Sequence, residues 1–218
     1  MKSLSHFLEL GLKMDVRHFS DTINHSILKK LIRKRVSDEQ LLLLVDQIID
    51  SFYQSIDVFG KAGIPLGNVS SQLFANIYLH ELDEFIKHKL RLKFYLRYCD
   101  DFVILSHNPK LLLWLICVID DFLKIHLKLQ LHPKKVFLLN LSGGVDFVGY
   151  VQFLHHRCLR PQTKRRLKSR LRRGLELFHK GKLSQTQLDQ KIQSYLGLLS
   201  HANEFYFSQI IKNKYWVR

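Results

Sequence analysis

Apolar residues recur along this chain with two periods, and the places where one gives way to the other mark out its elements. Leu8-Glu9-Leu10-Gly11-Leu12-Lys13-Met14-Asp15-Val16 reads as a strand whose end is marked by Asp15. Ile27, Leu28, Leu31 and Ile32 then fall at helical spacing behind Asn24, whose side chain can cap a first turn. A second helix is predicted from about Asp38 to Phe59, with Leu41, Leu44, Val45, Ile48, Ile49 and Phe52 along one face. Gly60, Gly63, Pro65 and Gly67 break the pattern into a loop. Ser70 or Ser71 is expected to cap the next helix, whose stripe includes Phe74, Ile77, Tyr78, Leu82, Phe85 and Ile86.

From Lys93 to Ser106, two runs rich in aromatic and β-branched residues flank Cys99-Asp100-Asp101, which predicts a hairpin with an acidic tip. A helix from about Pro109 to Lys128 follows. A second hairpin is then expected, with strands Lys135 to Leu141 and Val145 to Phe153 turned at Ser142-Gly143-Gly144. Strand, helices, hairpin, helix, hairpin is an α+β order: one antiparallel sheet with helices packed on one face.

The pattern changes character at Arg157. Nine of the seventeen residues from Arg157 to Arg173 are Lys or Arg and none is acidic, yet Leu167, Leu171, Leu175 and Phe178 recur at helical spacing. This predicts a basic amphipathic helix, ended by Gly181 and followed by a last helix from about Ser184 to Ile211. A boundary near Arg157–Pro161 gives a first domain over residues 1–157 and a basic helical one over 158–218. Most charge runs are solvated faces; nine like charges with no acid among them favour contact with a phosphate backbone.

Overall charge points the same way. The 218-residue chain has 34 Lys and Arg against 19 Asp and Glu, a formal net charge of +15, which favours a polyanionic partner, nucleic acid first. The longest apolar run, Leu111 to Ile119, is nine residues, well short of the ~20 that span a bilayer, so no membrane partner is expected. Met1 to Lys13 lacks the features of a secretory signal, and three cysteines without paired spacing suit a reducing cytoplasm. Twelve histidines, densest at His155-His156-Arg157-Cys158, come with no Cys-x-x-Cys or His-Glu-x-x-His, so zinc is not favoured.

Adjacent carboxylates repel. Asp100-Asp101 reads either as a solvated turn, since Asp is a favoured turn residue, or as a cation site; the apolar framing on both flanks favours the cation site. If the strand ending at Asp15 pairs beside the acidic hairpin, three carboxylates gather at one sheet edge. That oxygen set suits Mg²⁺. It can hold two ions ~3.5–4 Å apart for phosphoryl transfer, one activating a primer 3′-hydroxyl and the other offsetting charge on the departing pyrophosphate.

Lys13-Met14-Asp15-Val16-Arg17-His18-Phe19 with Ile23-Asn24-His25, Gly63-Ile64-Pro65-Leu66-Gly67-Asn68-Val69-Ser70-Ser71-Gln72, and Tyr98-Cys99-Asp100-Asp101 resemble successive palm motifs of reverse transcriptases. Pro133-Lys134-Lys135 and Val145-Asp146-Phe147-Val148-Gly149-Tyr150 resemble the two that follow, and the resemblance covers roughly residues 8–210. Most relatives, those of group II introns included, carry Gln-Gly and Ser-Pro where this chain has Gly67-Asn68 and Ser71-Gln72. That pairing is similar to the enzymes of diversity-generating retroelements, which copy a template RNA with errors at adenines. Ser194-Tyr195-Leu196-Gly197 with His201-Ala202-Asn203 resembles the thumb of the same branch.

The resemblance implies a polymerase palm followed by a helical thumb, and RNA-directed DNA synthesis from template RNA, a primer or growing cDNA, and dNTPs. It also implies two Mg²⁺ ions, with Mn²⁺ as the alternative, and a small basic accessory protein. By position it makes Asp15, Asp100, Asp101 and the Val16 backbone the metal ligands, with Asp101 orienting the site more than coordinating. Lys135, or its neighbour Lys134, becomes the proton donor to pyrophosphate. Phe19, Ser20, Gly67, Asn68, Ser71 and Gln72 would lie against template and nucleotide. Phe147, Gly149 and Tyr150 would form the primer grip, the alternative for Phe147 and Tyr150 being plain sheet core. Lys164, Arg165, Arg166, Lys168, Arg170, Arg172 and Arg173 would follow the nucleic-acid backbone.

Two departures from the family pattern change what is expected. Many relatives carry, five positions after the first aspartate, an aromatic that blocks a ribonucleotide's 2′-hydroxyl; Ser20 stands there, predicting weaker sugar discrimination. Only fourteen residues precede Asp15, so the fingers region that holds the triphosphate is expected to be largely absent, and robust polymerisation by this chain alone is not expected. The rival reading is a non-catalytic basic module that binds RNA or DNA, which gains nothing from carboxylates facing an acidic ligand. A palm polymerase copying RNA into RNA is a third, disfavoured by the motif wording.

Overall fold

The structure, a computed structural model, describes residues 10–57, 60–65 and 67–215. It forms two compact units, residues 1–139 and 140–218, dividing ahead of the change in charge at Arg157.

In the first unit, β1 (Leu10–Asp15) leads into a short α1 (Phe19–Thr22), then α2 (His25–Arg33) and α3 (Glu39–Asp50). The expected strand ends at Asp15, and its first two residues lie outside the described part. Asn24 and Asp38 cap the two longer helices, their side chains accepting from the amides of Ile27 and Leu41. α3 stops at Asp50, short of the expected Phe59. Ser55–Asp57 is instead β2, paired antiparallel with β3 (Gly60–Ala62), and Gln54 N–H donates to Ala62 O at 2.8 Å. These partners are tertiary, so local periodicity cannot announce them. The inward face of α3 carries Leu42 and Ile49, while Leu41, Leu44 and Ile48 are exposed, a stripe rotated from the expected one. Val58, Phe59 and Leu66 lie outside the described residues.

α4 (Val69–Glu84) has Asn68 at its cap position, so Ser70 and Ser71 fall inside its first turn instead of capping it. The acidic hairpin forms as expected from β4 (Tyr95–Tyr98) and β5 (Asp101–Ser106), followed by α5 (Pro109–Phe122), capped by Asn108. α4 and α5 each run on into a π-helical turn, Phe85–Lys89 and Leu123–Leu127. There the Phe85 and Phe122 rings stack with centroids 4.1 Å apart. The expected second hairpin does not form: β6 (Phe137–Asn140) joins the main sheet beside β1, giving the order β4-β5-β1-β6. Leu12 and Met14 of β1 and Phe102 and Ile104 of β5 share the core with Leu28, Tyr78, Leu82, Leu112 and Ile119 of the helices. Because side chains alternate along a strand, Lys13, Asp15 and Asp101 fall on the opposite face.

The second unit opens with an antiparallel meander of β7 (Val145–Phe147), β8 (Tyr150–Gln152) and β9 (Arg157–Leu159). Its first turn is at Val148-Gly149, not at Ser142–Gly144, and both turn residues have positive φ, 49° and 84°. Three helices follow: the basic α6 (Pro161–His179), α7 (Gln185–Ser200), which opens on a Ser184–Gln187 capping box, and α8 (Phe205–Tyr215). The last helix expected from Ser184 to Ile211 is thus two. Its break is held by tertiary bonds: Asn203 N–H donates to Arg157 O at 2.8 Å, and Leu159 N–H donates to the buried Glu204 carboxylate at 3.0 Å. Leu159, Leu167, Leu171, Leu188, Ile192 and Ile211 form this unit's core. No helix among the described residues is long and apolar enough to cross a membrane.

Candidate active site

β1 and β5 pair antiparallel in a register that sets Asp15 directly opposite Asp101. Side chains so placed are about 4.5–5.5 Å apart at Cβ, and like charges there destabilise a sheet. Two lysines answer the charge. Lys135 Nζ lies 3.0 Å from both carboxylate oxygens of Asp15, which is buried at 6% exposure, and Lys13 Nζ is 3.7 Å from Asp101. Asp100 sits at the hairpin tip, its carbonyl accepting from Val16 N–H at 3.3 Å. Burial pushes the Asp100 carboxyl above the usual carboxylate range, with repulsion from Asp15 and Asp101 adding to it. Burial also raises Asp101, which the Lys13 ammonium lowers and Asp15 raises further. The hydrogen bond to Asp15 raises Lys135.

The tip is braced from behind. The Arg97 guanidinium donates to both oxygens of Asp83 at 2.8 and 2.6 Å and to Cys99 O at 3.0 Å, while Tyr95 Oη–H donates to Asp83 at 2.7 Å. This matters because Cys99 has φ 53°, a left-handed conformation that non-glycine residues adopt at a cost. Lys13, Asp83, Tyr95 and Arg97 all escaped the sequence reading. Lys13 was legible in principle, two residues before Asp15 and so on its face of the strand. The Arg97–Asp83 pair joins separate elements and leaves no local signature.

The donor set suits a hard divalent ion: acidic, all oxygen, and already drawing two cations. Among the described residues, however, no group of three or more His, Cys, Asp or Glu side chains is arranged to hold a metal ion. Asp15 and Asp101 face each other, and Asp100 is coupled to both through charge without completing a cage.

Phe19 is buried in the core at 5% exposure, which removes its ring from the surface. Ser20 is partly buried, and its carbonyl accepts from Ile64 N–H at 2.8 Å. Gly67 (φ 96°), Asn68 and Gln72 are exposed around the start of α4. Ser71 is buried, with no partner for its hydroxyl among the described residues. Phe147, Gly149 and Tyr150 lie together at the β7–β8 turn of the second unit, where Phe147 is buried and Tyr150 packs against that unit's core. On α6, Lys164 is partly buried while Arg165, Arg166, Lys168, Arg170, Arg172 and Arg173 are exposed.

The family model described as reverse transcriptase (RNA-dependent DNA polymerase) matches residues 5–152, well over half of the sequence. The chain belongs to the reverse transcriptase family. The chain is 26% identical to the protein YkfC of Escherichia coli over 186 residues, 69% of its own length and 47% of YkfC. It is 35% identical to the group II intron-encoded protein LtrA of Lactococcus lactis over 82 residues, 37% of its length and 14% of LtrA. It therefore spans less than half of either relative. Its fold is similar to that of a Candida tropicalis telomerase solved in complex with a fragment of telomeric RNA, with a TM-score of 0.51 at 15% identity, over 95% of this chain and 40% of the telomerase.

Proposed function

We propose that this chain is the palm and thumb portion of an RNA-directed DNA polymerase, and that its first unit carries the nucleotidyl-transfer site. The observation that carries the reading is the Asp15–Asp101 pairing across β1 and β5, with Asp100 beside it at the tip. A pure nucleic-acid binder has no use for three acids where an anionic ligand would sit. Asp15, Asp100, Asp101 and the Val16 backbone would hold divalent ions, Mg²⁺ or Mn²⁺. When bound, these would supply Lewis-acid stabilisation of charge on the reacting phosphate. Lys135, whose ammonium meets the Asp15 carboxylate, would give a proton to departing pyrophosphate. Gly67, Asn68 and Gln72 are the exposed members of the set assigned to template and nucleotide; Phe19, being core, drops out of it. Phe147, Gly149 and Tyr150 would meet the primer, and α6 the duplex phosphates.

The Gly67-Asn68 and Ser71-Gln72 wording supports the diversity-generating branch, with dNTPs as substrates and a small basic protein as partner; the three cysteines without paired spacing support a cytoplasmic setting. Primer extension on an RNA template tests the core of this. Asp100→Asn should abolish Mg²⁺-dependent extension while leaving template–primer binding intact or tighter. Extension surviving in Asp100→Asn would remove the catalytic reading and leave a basic binding module.

A further inference from the structure

The second unit carries a feature that the polymerase reading does not use. Where α7 meets α8, a groove of about 280 Å³ is lined by Leu196, Leu199, Asn203, Phe205, Ser208 and Lys212, among others. Phe205 and its neighbour Tyr206 are 74% and 80% exposed, the most exposed aromatic side chains among the described residues. α8 buries Phe207, Ile211 and Tyr215, which leaves positions 205 and 206 outside its packed stripe.

The backbone that leads into this aromatic step is anchored. The backbone just before it is pinned through Asn203 to Arg157 and through Glu204 to Leu159. The Glu204 carboxylate also pairs with Lys164 of α6 at 2.5 Å. Ser200 and Ser208 hydroxyls donate to Gly197 O and Phe205 O, each at 2.7 Å. The Glu204 carboxylate at this anchor is itself buried, at 7% exposure. One cation, Lys212, lines the groove itself; Lys168 Nζ lies 5.2 Å from the ring centroid of Phe207, on the packed stripe of α8.

An exposed aromatic ring and an ammonium group in one groove suit a nucleic-acid strand, the ring taking the π-face of a base and the lysine its phosphate. The groove falls just under the 300–1,000 Å³ of ordinary small-molecule sites, a scale that suits one planar base. Asn203 offers both a donor and an acceptor at its edge. A base inside a duplex is stacked on both faces, so the ligand must be unpaired. We propose that Phe205, Tyr206 and the groove beside them seat an unpaired base of a bound strand. This rests on the nucleic-acid reading above and extends it to a site remote in sequence from the carboxylates.

The test uses the full chain with two ligands: a single strand of about 16 nucleotides carrying 2-aminopurine, and a blunt duplex of the same sequence. Wild type should bind both and change the 2-aminopurine fluorescence of the single strand. The Phe205→Ala, Tyr206→Ala double variant should lose about tenfold or more on the single strand, with an unchanged salt slope and little change on duplex. Phe205→Trp should keep single-strand binding. Arg170→Gln should weaken both ligands and flatten the salt slope. An equal loss on both ligands, no loss on either, or a wild-type dimer that the double variant dissociates in sedimentation would overturn the base seat while leaving phosphate binding standing. Wild type binding neither ligand would remove the nucleic-acid reading and the base seat with it.

Discussion

Asp100 and Asp101 are each raised above the ordinary carboxylate range, with burial the first cause in both. A raised carboxyl makes its ionised form a cost to the fold. That cost is absent below the unfolded value near 3.9, grows as pH rises through it, and is complete above the folded value. Metal-free Asp100→Asn should therefore melt above wild type at neutral pH, with the gap closing as pH falls through the carboxylate range. Thermal melts across a pH series in EDTA check this; a variant that melts below wild type at every pH would contradict it. The lysines act in the opposite sense. The Lys135 ammonium offsets the charge of the Asp15 carboxylate it bonds.

The acidic hairpin shows both what was readable and what was not. Its strands and its Cys-Asp-Asp tip follow from residue types alone, as does the cap at Asn24. The brace behind the tip does not, because Arg97 and Asp83 meet only after β4 docks on α4. Breaking it strands a partly buried carboxylate and frees the Cys99 carbonyl, so Arg97→Ala should cost about 2–3 kcal/mol. Arg97→Lys should recover little of this, because lysine cannot make the two-pronged contact; chemical denaturation measures both. The same logic explains the missed breaks. Neither Ser51–Gln54 nor His201–Glu204 contains glycine or proline. In both stretches the chain finds a partner elsewhere: Gln54 N–H donates to Ala62 O in one, and in the other Asn203 N–H donates to Arg157 O while the Glu204 carboxylate accepts from Leu159 N–H. β6 went astray for a related reason: Ser142-Gly143-Gly144 looks like a hairpin turn, yet the strand before it is claimed by β1.

At the scale of the molecule, a net charge of +15 coexists with a knot of buried acid in one unit and a row of exposed guanidinium groups along α6 in the other. Duplex binding should accordingly fall steeply with salt, with a log–log slope of about −0.9 per phosphate contact. Each Arg→Gln change at positions 165, 166, 170, 172 or 173 that removes one contact should lessen the slope by about one. A fluorescence-anisotropy titration over a salt series reads this directly, and a salt-independent affinity would contradict it.

The central claim is that residues 85 positions apart, Asp15 and Asp100, share a divalent cation. Mn²⁺ titration of the full chain followed by electron paramagnetic resonance tests it without any need for turnover. The account predicts saturable binding that weakens about tenfold or more in both Asp15→Asn and Asp100→Asn and tightens in Lys135→Met, where the competing ammonium is gone. Binding that is the same in all four proteins would contradict it.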